Sequence, residues 1–314
     1  MPKGLLSIGL TTLDIVGRPM DSIPEGGGTK LIDGIALAPA GTAGGMALVA
    51  AKLGVATAVA SATGDDGAGR FVRAEFARHS VDTSLLATDP SRSTSTTILT
   101  IRSNGDRPNF HAVGASHFAR IDAAVRRTAS AVKFLHYGGI GGIHLDGGEG
   151  AALLAIAKAE GAIVTCDLIG PGPRTNRELE FILPHVDYFM PNMEEAMFLA
   201  GTRDAPDAAQ HFFRLGAKTC IFKWGGQGAF VATRDGETML PAHQIDVVDT
   251  TSCGDSYCAG FVAALDRGFD MLDACRFAGA TAALVAQGLA TLGKLTDFET
   301  TLRYMHDTPL RAAA

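Results

Sequence analysis

The chain has 314 residues, of which 46% are hydrophobic and 19% charged, as expected of a globular protein with a substantial core. Its formal net charge of −6 comes without a basic tail or an arginine run, which argues against nucleic acid as a partner. No apolar stretch is long enough to span a membrane, the apolar run at residues 5–10 is too short for a secretory signal, and the five cysteines form no CxxC pair. We therefore expect a cytoplasmic protein that acts on a small molecule.

Strand-like apolar runs alternate with alanine-rich helical runs along the chain. Strands are predicted at residues 5–10, 57–62, 134–137, 162–167, 188–190 and 219–223. Helices are predicted at residues 44–53 and 67–80 and in several of the intervening segments. This alternation predicts a mostly parallel sheet with helices on both faces, and ligands of such sheets bind beyond the carboxyl ends of the strands.

Two segments interrupt the alternation, at residues 14–39 and 93–113. The second is predicted to form a hairpin, because β-branched residues alternate along 94–102 and an Asn-Gly turn precedes the returning residues 107–113. We expect both segments to build a small accessory β-sheet on a single domain spanning residues 1–314. That sheet is either a lid over a site at the rim of the main sheet or an edge hairpin without a role in binding. Residues 311–314 are expected to fray.

The most informative stretch is Asp249-Thr250-Thr251-Ser252-Cys253-Gly254-Asp255, which leads into a long run of small and apolar residues. Residues 245–248 before it are predicted to be a strand, and the run after it a helix. The loop between them delivers Asp255 to the first helical turn, where unpaired N–H groups and the helix dipole suit a phosphate. Asp255 is therefore either a base for an attacking hydroxyl or only a favourable partner of the dipole.

This stretch resembles the C-terminal signature of ribokinase-like (phosphofructokinase-B type) carbohydrate kinases, which commonly reads Asp-Thr-Thr-Gly-Ala-Gly-Asp. Five of the seven positions match, and Ser252 and Cys253 replace Gly-Ala. The resemblance implies a three-layer α/β sandwich with a small β lid. It also implies that Asp255 is the general base and that the backbone N–H groups of Ser252, Cys253, Gly254 and Asp255 form an anion hole.

A second resemblance to the same family lies in Ala40-Gly41-Thr42-Ala43-Gly44-Gly45-Met46-Ala47, where the family commonly has Gly-Gly-x-x-x-Asn-x-Ala. Gly45 stands in place of the Asn. The resemblance implies that Gly41, Thr42 and Gly45 border the acceptor, and that Asp14, after the first strand, binds two of its hydroxyls. On the returning strand of the hairpin, Arg107 and His111 either contact the acceptor or face solvent.

The nucleotide end of the site is implied by two further motifs. Asn192 and Glu195 match the family's Asn-x-x-Glu, which implies roles near the nucleotide phosphates and Mg²⁺, although an ordinary helix cap would explain the same residue types. Gly225 and Gly228 resemble the family's ATP loop, and Lys223 before them either pairs with a phosphate or is solvated.

Asp249 and Thr251 match part of a monovalent-cation site that many relatives have, so a potassium effect is a hypothesis. The resemblance also implies a possible homodimer through the lid.

Other enzyme classes lack their signatures here. There is no Gly-x-x-x-x-Gly-Lys-Ser/Thr loop, the first strand is not followed by Gly-x-Gly-x-x-Gly, and no Gly-x-Ser-x-Gly elbow ends a strand. The sequence thus predicts ATP- and Mg²⁺-dependent phosphoryl transfer to a hydroxyl of a sugar or nucleoside. A non-catalytic sugar-binding or regulatory protein on the same scaffold is the alternative, which the departures at Gly45, Ser252 and Cys253 favour.

Overall fold

The structure is a computed structural model, and it describes residues 4–168 and 170–312. Of the terminus expected to fray, residues 313 and 314 lie outside the described residues. The strands are β1 (Leu5–Gly9), β2 (Thr12–Arg18), β3 (Gly34–Ala40), β4 (Thr57–Gly64), β5 (Leu86–Asp89), β6 (Thr96–Thr100), β7 (Asn109–Ala112), β8 (Phe134–Gly138), β9 (Ile163–Cys166), β10 (Tyr188–Phe189), β11 (Thr219–Lys223), β12 (Ala229–Thr233) and β13 (Gly236–Leu240). The α-helices are α1 (Gly44–Lys52), α2 (Gly67–Arg78), α3 (Ala123–Ala129), α4 (Glu149–Ala159), α5 (Thr175–Ile182), α6 (Met193–Ala200), α7 (Ala205–Arg214), α8 (Cys253–Asp266), α9 (Met271–Ala286) and α10 (Phe298–Asp307).

The central sheet has nine strands in the order β13-β12-β11-β10-β9-β8-β1-β4-β5. Strands β11 through β5 in this order pair in parallel, and only β12 and β13 run antiparallel to their neighbours. The predicted parallel strands are therefore confirmed. The β12–β13 hairpin was not predicted, although an Asp-Gly pair at its turn is a known hairpin signal.

Helices cover both faces of this sheet. Successive side chains of a strand point to opposite sides, and because apolar residues point to both, both faces carry apolar side chains that need to be covered. Leu6 of β1 and Leu135 of β8 belong to the core that α3 to α7 complete. Their neighbours Leu5 and Phe134 belong to the opposite core, formed with α1, α8, α9 and α10. The predicted three-layer α/β sandwich is confirmed.

The two interrupting segments form a separate four-stranded sheet in the order β3-β2-β6-β7. The predicted hairpin is its β6–β7 pair, with the turn between residues 100 and 109. Asp14, Thr97 and His111 lie opposite one another on β2, β6 and β7, so their side chains share one face of the sheet. Ile15, Ile98 and Phe110 share the other face.

The strand predicted at residues 245–248 is wrong. The central sheet ends at β13, and this segment runs as irregular chain from the sheet edge to the start of α8. Its Val248 N–H donates to the carbonyl of Ala286, the last residue of α9 (2.8 Å), and Val247 is 47% exposed. β-Branched residues favour an extended chain, but a strand also needs a neighbouring strand to pair with.

Among the described residues, no helix has the length and apolarity to cross a membrane.

Candidate active site

A cavity of about 900 Å³ lies between the carboxyl ends of the parallel strands, the accessory sheet and the first turn of α8. The sequence-predicted site residues line it, except Gly45 and Asp249, which each lie against a lining residue. The fold therefore brings the acceptor motifs and the nucleotide motifs to one cleft. The start of α8 lies between these two groups of residues.

The start of α8 presents backbone N–H groups to this cleft. Ser252 precedes the helix in a left-handed conformation (φ 56°), and Asp255 lies in the first turn. The Cys253 N–H donates to the Thr250 carbonyl at 3.3 Å, so this amide of the predicted anion hole is already engaged. The N–H groups of Gly254 and Asp255 have no hydrogen-bond acceptor in the part of the chain that the structure describes. These two amides are the ones left to meet an anion.

The carboxyl group of Asp255 has a pKa raised to about 7. Burial among protein atoms is the main cause, the negative charge of Asp167 adds to it, and the ammonium of Lys223 opposes it. One side of the residue still meets the cleft. A carboxylate with a pKa near neutral is a stronger proton acceptor than an ordinary aspartate.

Gly45, at the start of α1, packs directly against Asp255. A β carbon at this position would lie 3.0 Å from Asp255 Oδ2 and 3.4 Å from the Ser252 hydroxyl. The family's usual Asn would therefore crowd the carboxylate in its present position. The replacement by Gly leaves room for this placement of Asp255.

The end of the cleft that holds the predicted acceptor residues is formed by the inner face of the accessory sheet. Asp14 is 7% exposed and accepts a hydrogen bond from the Thr12 hydroxyl (2.8 Å). Burial raises the pKa of its carboxyl, and the bond from Thr12 partly offsets this. Thr97 Oγ1 lies 3.1 Å from His111 Nδ1. These side chains place a carboxylate, a hydroxyl and an imidazole in one row.

Other predicted acceptor residues contribute differently. The Thr42 hydroxyl donates to the Gly138 carbonyl (2.6 Å) and accepts from the Leu10 N–H (3.2 Å). It therefore connects the end of β8 to the residue that follows β1. Gly41 has φ +88°, and a β carbon there would lie 2.8 Å from the Leu10 carbonyl oxygen. Arg107 is exposed at the cavity, and its positive charge is close enough to Asp255 to lower the pKa of that carboxyl group.

At the end of the cleft that holds the predicted nucleotide residues, Asn192 and Glu195 form a capping box at the start of α6. Asn192 Oδ1 accepts from the Glu195 N–H (2.8 Å), and Glu195 Oε2 accepts from the Asn192 N–H (3.0 Å). The helix-cap interpretation is thus correct, yet both residues also line the cavity. Burial, followed by the charge of Asp167, raises the pKa of Glu195 to about 7.

Glu195 fits a Mg²⁺ ion that keeps most of its waters. The described residues include no cluster of three or more His, Cys, Asp or Glu that would enclose a metal. One carboxylate at the cleft suits Mg²⁺, because this ion dehydrates reluctantly and takes other oxygens from water and phosphates.

Lys223 is not solvated: its side chain is 10% exposed and forms an ion pair with Asp167. Asp167 follows β9, Asn192 follows β10 and Lys223 ends β11, so three adjacent strand ends supply these groups. Sequence reasoning missed Asp167. A carboxylate directly after a buried parallel strand was the available signal.

The loop after β11 continues along the cavity through Gly225 and Gly228. Gly228 has φ +101°, and a β carbon there would overlap the Leu240 carbonyl oxygen, so only Gly fits. Arg311 donates to the Gly226 carbonyl (3.0 Å) and ties the C-terminal segment to this loop.

Asp249 and Thr251 lie buried behind the start of α8, each 2% exposed. Asp249 Oδ1 accepts from the Thr251 N–H (2.8 Å), and Oδ2 accepts from the Ala290 N–H (2.9 Å). The Thr251 hydroxyl has no hydrogen-bond partner among the described residues. A buried carboxylate beside an unpaired hydroxyl is compatible with a monovalent cation at this position.

Comparison with known proteins agrees with this arrangement. The family pattern described as "pfkB family carbohydrate kinase" matches residues 3–295. The ribokinase of Haemophilus influenzae is 27% identical over 319 residues, which cover 97% of this chain and 99% of that relative. The nucleoside kinase of Methanothermobacter thermautotrophicus is 25% identical over 303 residues, covering 94% and 93%.

Among solved structures, a candidate ribokinase II from E. coli in complex with ATP and Mg²⁺ superimposes with a TM-score of 0.82. It is 20% identical and covers 97% of this chain and 99% of that chain. At this identity the similarity shows the fold. The match to the family pattern over nearly the whole length shows more: the chain belongs to the pfkB family of carbohydrate kinases.

Proposed function

We propose that the protein transfers the γ-phosphoryl group of ATP to a hydroxyl of a sugar or nucleoside, with Asp255 as the general base. The observation that carries this proposal is the position of Asp255. Its carboxyl group, with a pKa of about 7, meets the cleft beside the amides of Gly254 and Asp255, for which the described residues offer no hydrogen-bond acceptor.

The acceptor lies between the accessory sheet and the start of α8. Asp14 accepts hydrogen bonds from its hydroxyls, and the backbone of Gly41, between β3 and α1, borders it. Arg107 and His111 reach the same space from β7 and the turn before it. The accessory sheet acts as a lid in this proposal, because it supplies one wall of the acceptor site and excludes water when the substrate is bound.

In the transfer step, Asp255 takes the proton of the acceptor's attacking hydroxyl. At the same time, the oxygen of that hydroxyl forms a bond to the γ-phosphorus. The bond from that phosphorus to the β–γ bridging oxygen breaks, and ADP leaves. The amides of Gly254 and Asp255 stabilise the charge on the transferring group. Positioning supplies most of the catalysis, because the transition state of phosphoryl transfer is loose.

At the nucleotide end, Asn192, Gly225 and Gly228 border the ATP, and Lys223 contributes a cation near the γ-phosphate. Mg²⁺ held near Glu195 would neutralise charge on the nucleotide phosphates. A potassium ion near Asp249 and Thr251 would support the conformation of the loop that precedes α8.

The departures from the family signatures do not favour the non-catalytic alternative. Gly45 gives Asp255 room, and Ser252 adopts the left-handed conformation at which the helix begins. Cys253 contributes a thiol whose pKa burial raises to about 12, so it stays protonated and uncharged beside the anion hole.

The decisive experiment is ADP release across a panel of sugars and nucleosides, with Mg²⁺ and ATP present. Acceptor-dependent ADP release from the wild-type protein and its loss in Asp255→Asn would support the proposal. Acceptor binding by calorimetry without ADP release from any member of the panel would favour the non-catalytic alternative.

We also propose a homodimer through the outer face of the accessory sheet. Leu37, Ile98 and Phe110 lie on that face and are 47%, 45% and 56% exposed. Contiguous exposed apolar residues of this kind mark interaction surfaces. Sedimentation velocity should show a dimer that Ile98→Arg converts to a monomer, and a wild-type monomer at tens of micromolar would refute it.

A further inference from the structure

A buried ion pair lies beneath the first turn of α8. Asp167 is 4% exposed and the Lys223 side chain 10% exposed, so both charges are largely withdrawn from water. They extend from β9 and β11 and pair across the end of β10, which lies between them. The pair is thus a product of the sheet order and not of local sequence.

The surroundings fix this pair in one place. Asp167 Oδ1 accepts from the Leu168 N–H (2.8 Å), and its Oδ2 faces Lys223. The Cys258 thiol, on the inner side of α8, lies 3.6 Å from Asp167 Oδ2 and 3.7 Å from Lys223 Nζ. Lys223 Nζ is also 3.4 Å from the point where a β carbon on Gly254 would lie. The ammonium therefore sits beside the amides that meet the phosphoryl group.

Lys223 has more than one acidic neighbour. Besides Asp167, the carboxyl groups of Glu195 and Asp255 are close enough to interact with its charge, and His136 faces the pair from β8. An ammonium that paired with Asp255 would neutralise the general base and lower its affinity for a proton. The position that Lys223 adopts, against Asp167, leaves Asp255 free.

A buried ion pair is weak evidence for stability, because desolvation of both charges offsets much of their attraction. Its position at the phosphoryl site offers a different explanation. We propose that Asp167 is a positioning residue, which holds the Lys223 ammonium beside Gly254 to meet the transferring phosphoryl group and keeps it from pairing with Asp255. This inference rests on the proposed function, since it requires ATP as the donor.

Nucleotide affinity tests the inference without any acceptor. Dissociation constants of ATP and ADP are measured by calorimetry, with Mg²⁺, for the wild-type protein, Lys223→Met and Asp167→Asn. Lys223→Met should weaken ATP about tenfold or more and ADP much less, because a charge-assisted bond to the γ-phosphate is lost. Asp167→Asn should produce the same ATP-selective loss, because the ammonium is no longer held in place.

The double variant Asp167→Asn/Lys223→Met separates positioning from a general structural role. It should have the same ATP-to-ADP affinity ratio as Lys223→Met alone, because Asp167 acts only through Lys223. It also removes both buried charges, so it remains informative if Asp167→Asn alone does not fold. Asp266→Asn, which breaks the partly exposed ion pair with Lys133 (2.8 Å), is the matched control and should leave both affinities unchanged.

The outcomes distinguish this inference from the proposed function. Equal weakening of ATP and ADP in Asp167→Asn, or a ratio in the double variant that differs from that of Lys223→Met, overturns the positioning role alone. Failure of the wild-type protein to bind either nucleotide overturns both proposals.

Discussion

Gly45 and Asp255 pack so closely that the start of α1 is in direct contact with the carboxyl group proposed as the base: a β carbon at position 45 would lie 3.0 Å from Asp255 Oδ2. Gly45→Ala should therefore displace the carboxylate by a few tenths of an ångström. We expect turnover to fall on the order of tenfold to a hundredfold, because small misplacements of a reacting group are costly. Steady-state turnover with an accepted substrate measures the effect.

Gly27→Ala is the matched control for this change, because a β carbon there would have no heavy atom within 4 Å. It should retain wild-type turnover. Full activity in Gly45→Ala would show that Asp255 does not work from the position described here.

Asp255→Asn removes the proton acceptor while keeping the shape of the side chain. Turnover should fall on the order of 10²-fold or more, the usual contribution of a positioned acid–base group. ATP affinity should stay within a few-fold of wild type, because the amides of Gly254 and Asp255 remain. Near-normal turnover in this variant would refute the assignment of the base.

The pH dependence of kcat/KM should show an acid limb near pH 7. Burial raises the pKa of Asp255 to about 7, and only the ionised carboxylate accepts a proton from the acceptor. The rate should therefore be full above this pKa and fall tenfold per pH unit below it. A profile that stays flat down to pH 5 would contradict a base with a raised pKa.

Much of the fold was predictable from the sequence, because six of the seven parallel strands of the main sheet are short apolar runs; the seventh, β5, was not predicted. The loop before α8 was also predictable, since small residues and Asp255 occur together. The error at residues 245–248 arose because composition favours an extended chain but does not reveal a missing partner strand. The Asp167–Lys223 pair joins strand ends that are separated by β10, so only the sheet order brings them together.

The Asn192–Glu195 motif shows a different limit of sequence reasoning. The same two side chains cap α6 and line the cavity, so the two interpretations of the motif are both compatible with the structure. A pattern of residue types cannot separate a helix cap from a ligand when one pair of residues caps the helix and also lines the cavity.

Potassium should raise the turnover of the wild-type enzyme relative to a large organic cation at equal ionic strength. The reason is the buried Asp249 carboxylate beside the Thr251 hydroxyl, which has no hydrogen-bond partner in the described part of the chain, close behind the start of α8. Thr251→Val, which removes the hydroxyl at similar size, should abolish most of this difference. Equal rates in both salts would exclude a monovalent-cation effect.

Asp255 should also lower the stability of the folded protein at neutral and alkaline pH. Its pKa is about 7 when folded, against an ordinary value of 3.8, so the folded state binds this proton more tightly than the unfolded state. Folding is therefore favoured below pH 4 relative to higher pH, and this advantage is lost progressively as pH rises to about 7.

The uncharged Asp255→Asn variant lacks this penalty. Its free energy of unfolding at pH 8 should exceed that of wild type by about 1–2 kcal/mol, a value reduced from the full shift because one side of the carboxyl meets the cleft. The difference should vanish near pH 4, where the wild-type carboxyl is protonated in the folded state. Urea denaturation of both proteins at pH 8 and pH 4 measures this, with Asp266→Asn, at a partly exposed position away from the cleft, as the control. A variant less stable than wild type at pH 8 would mean that favourable contacts stabilise the Asp255 carboxylate in the folded protein, so that its pKa is not raised.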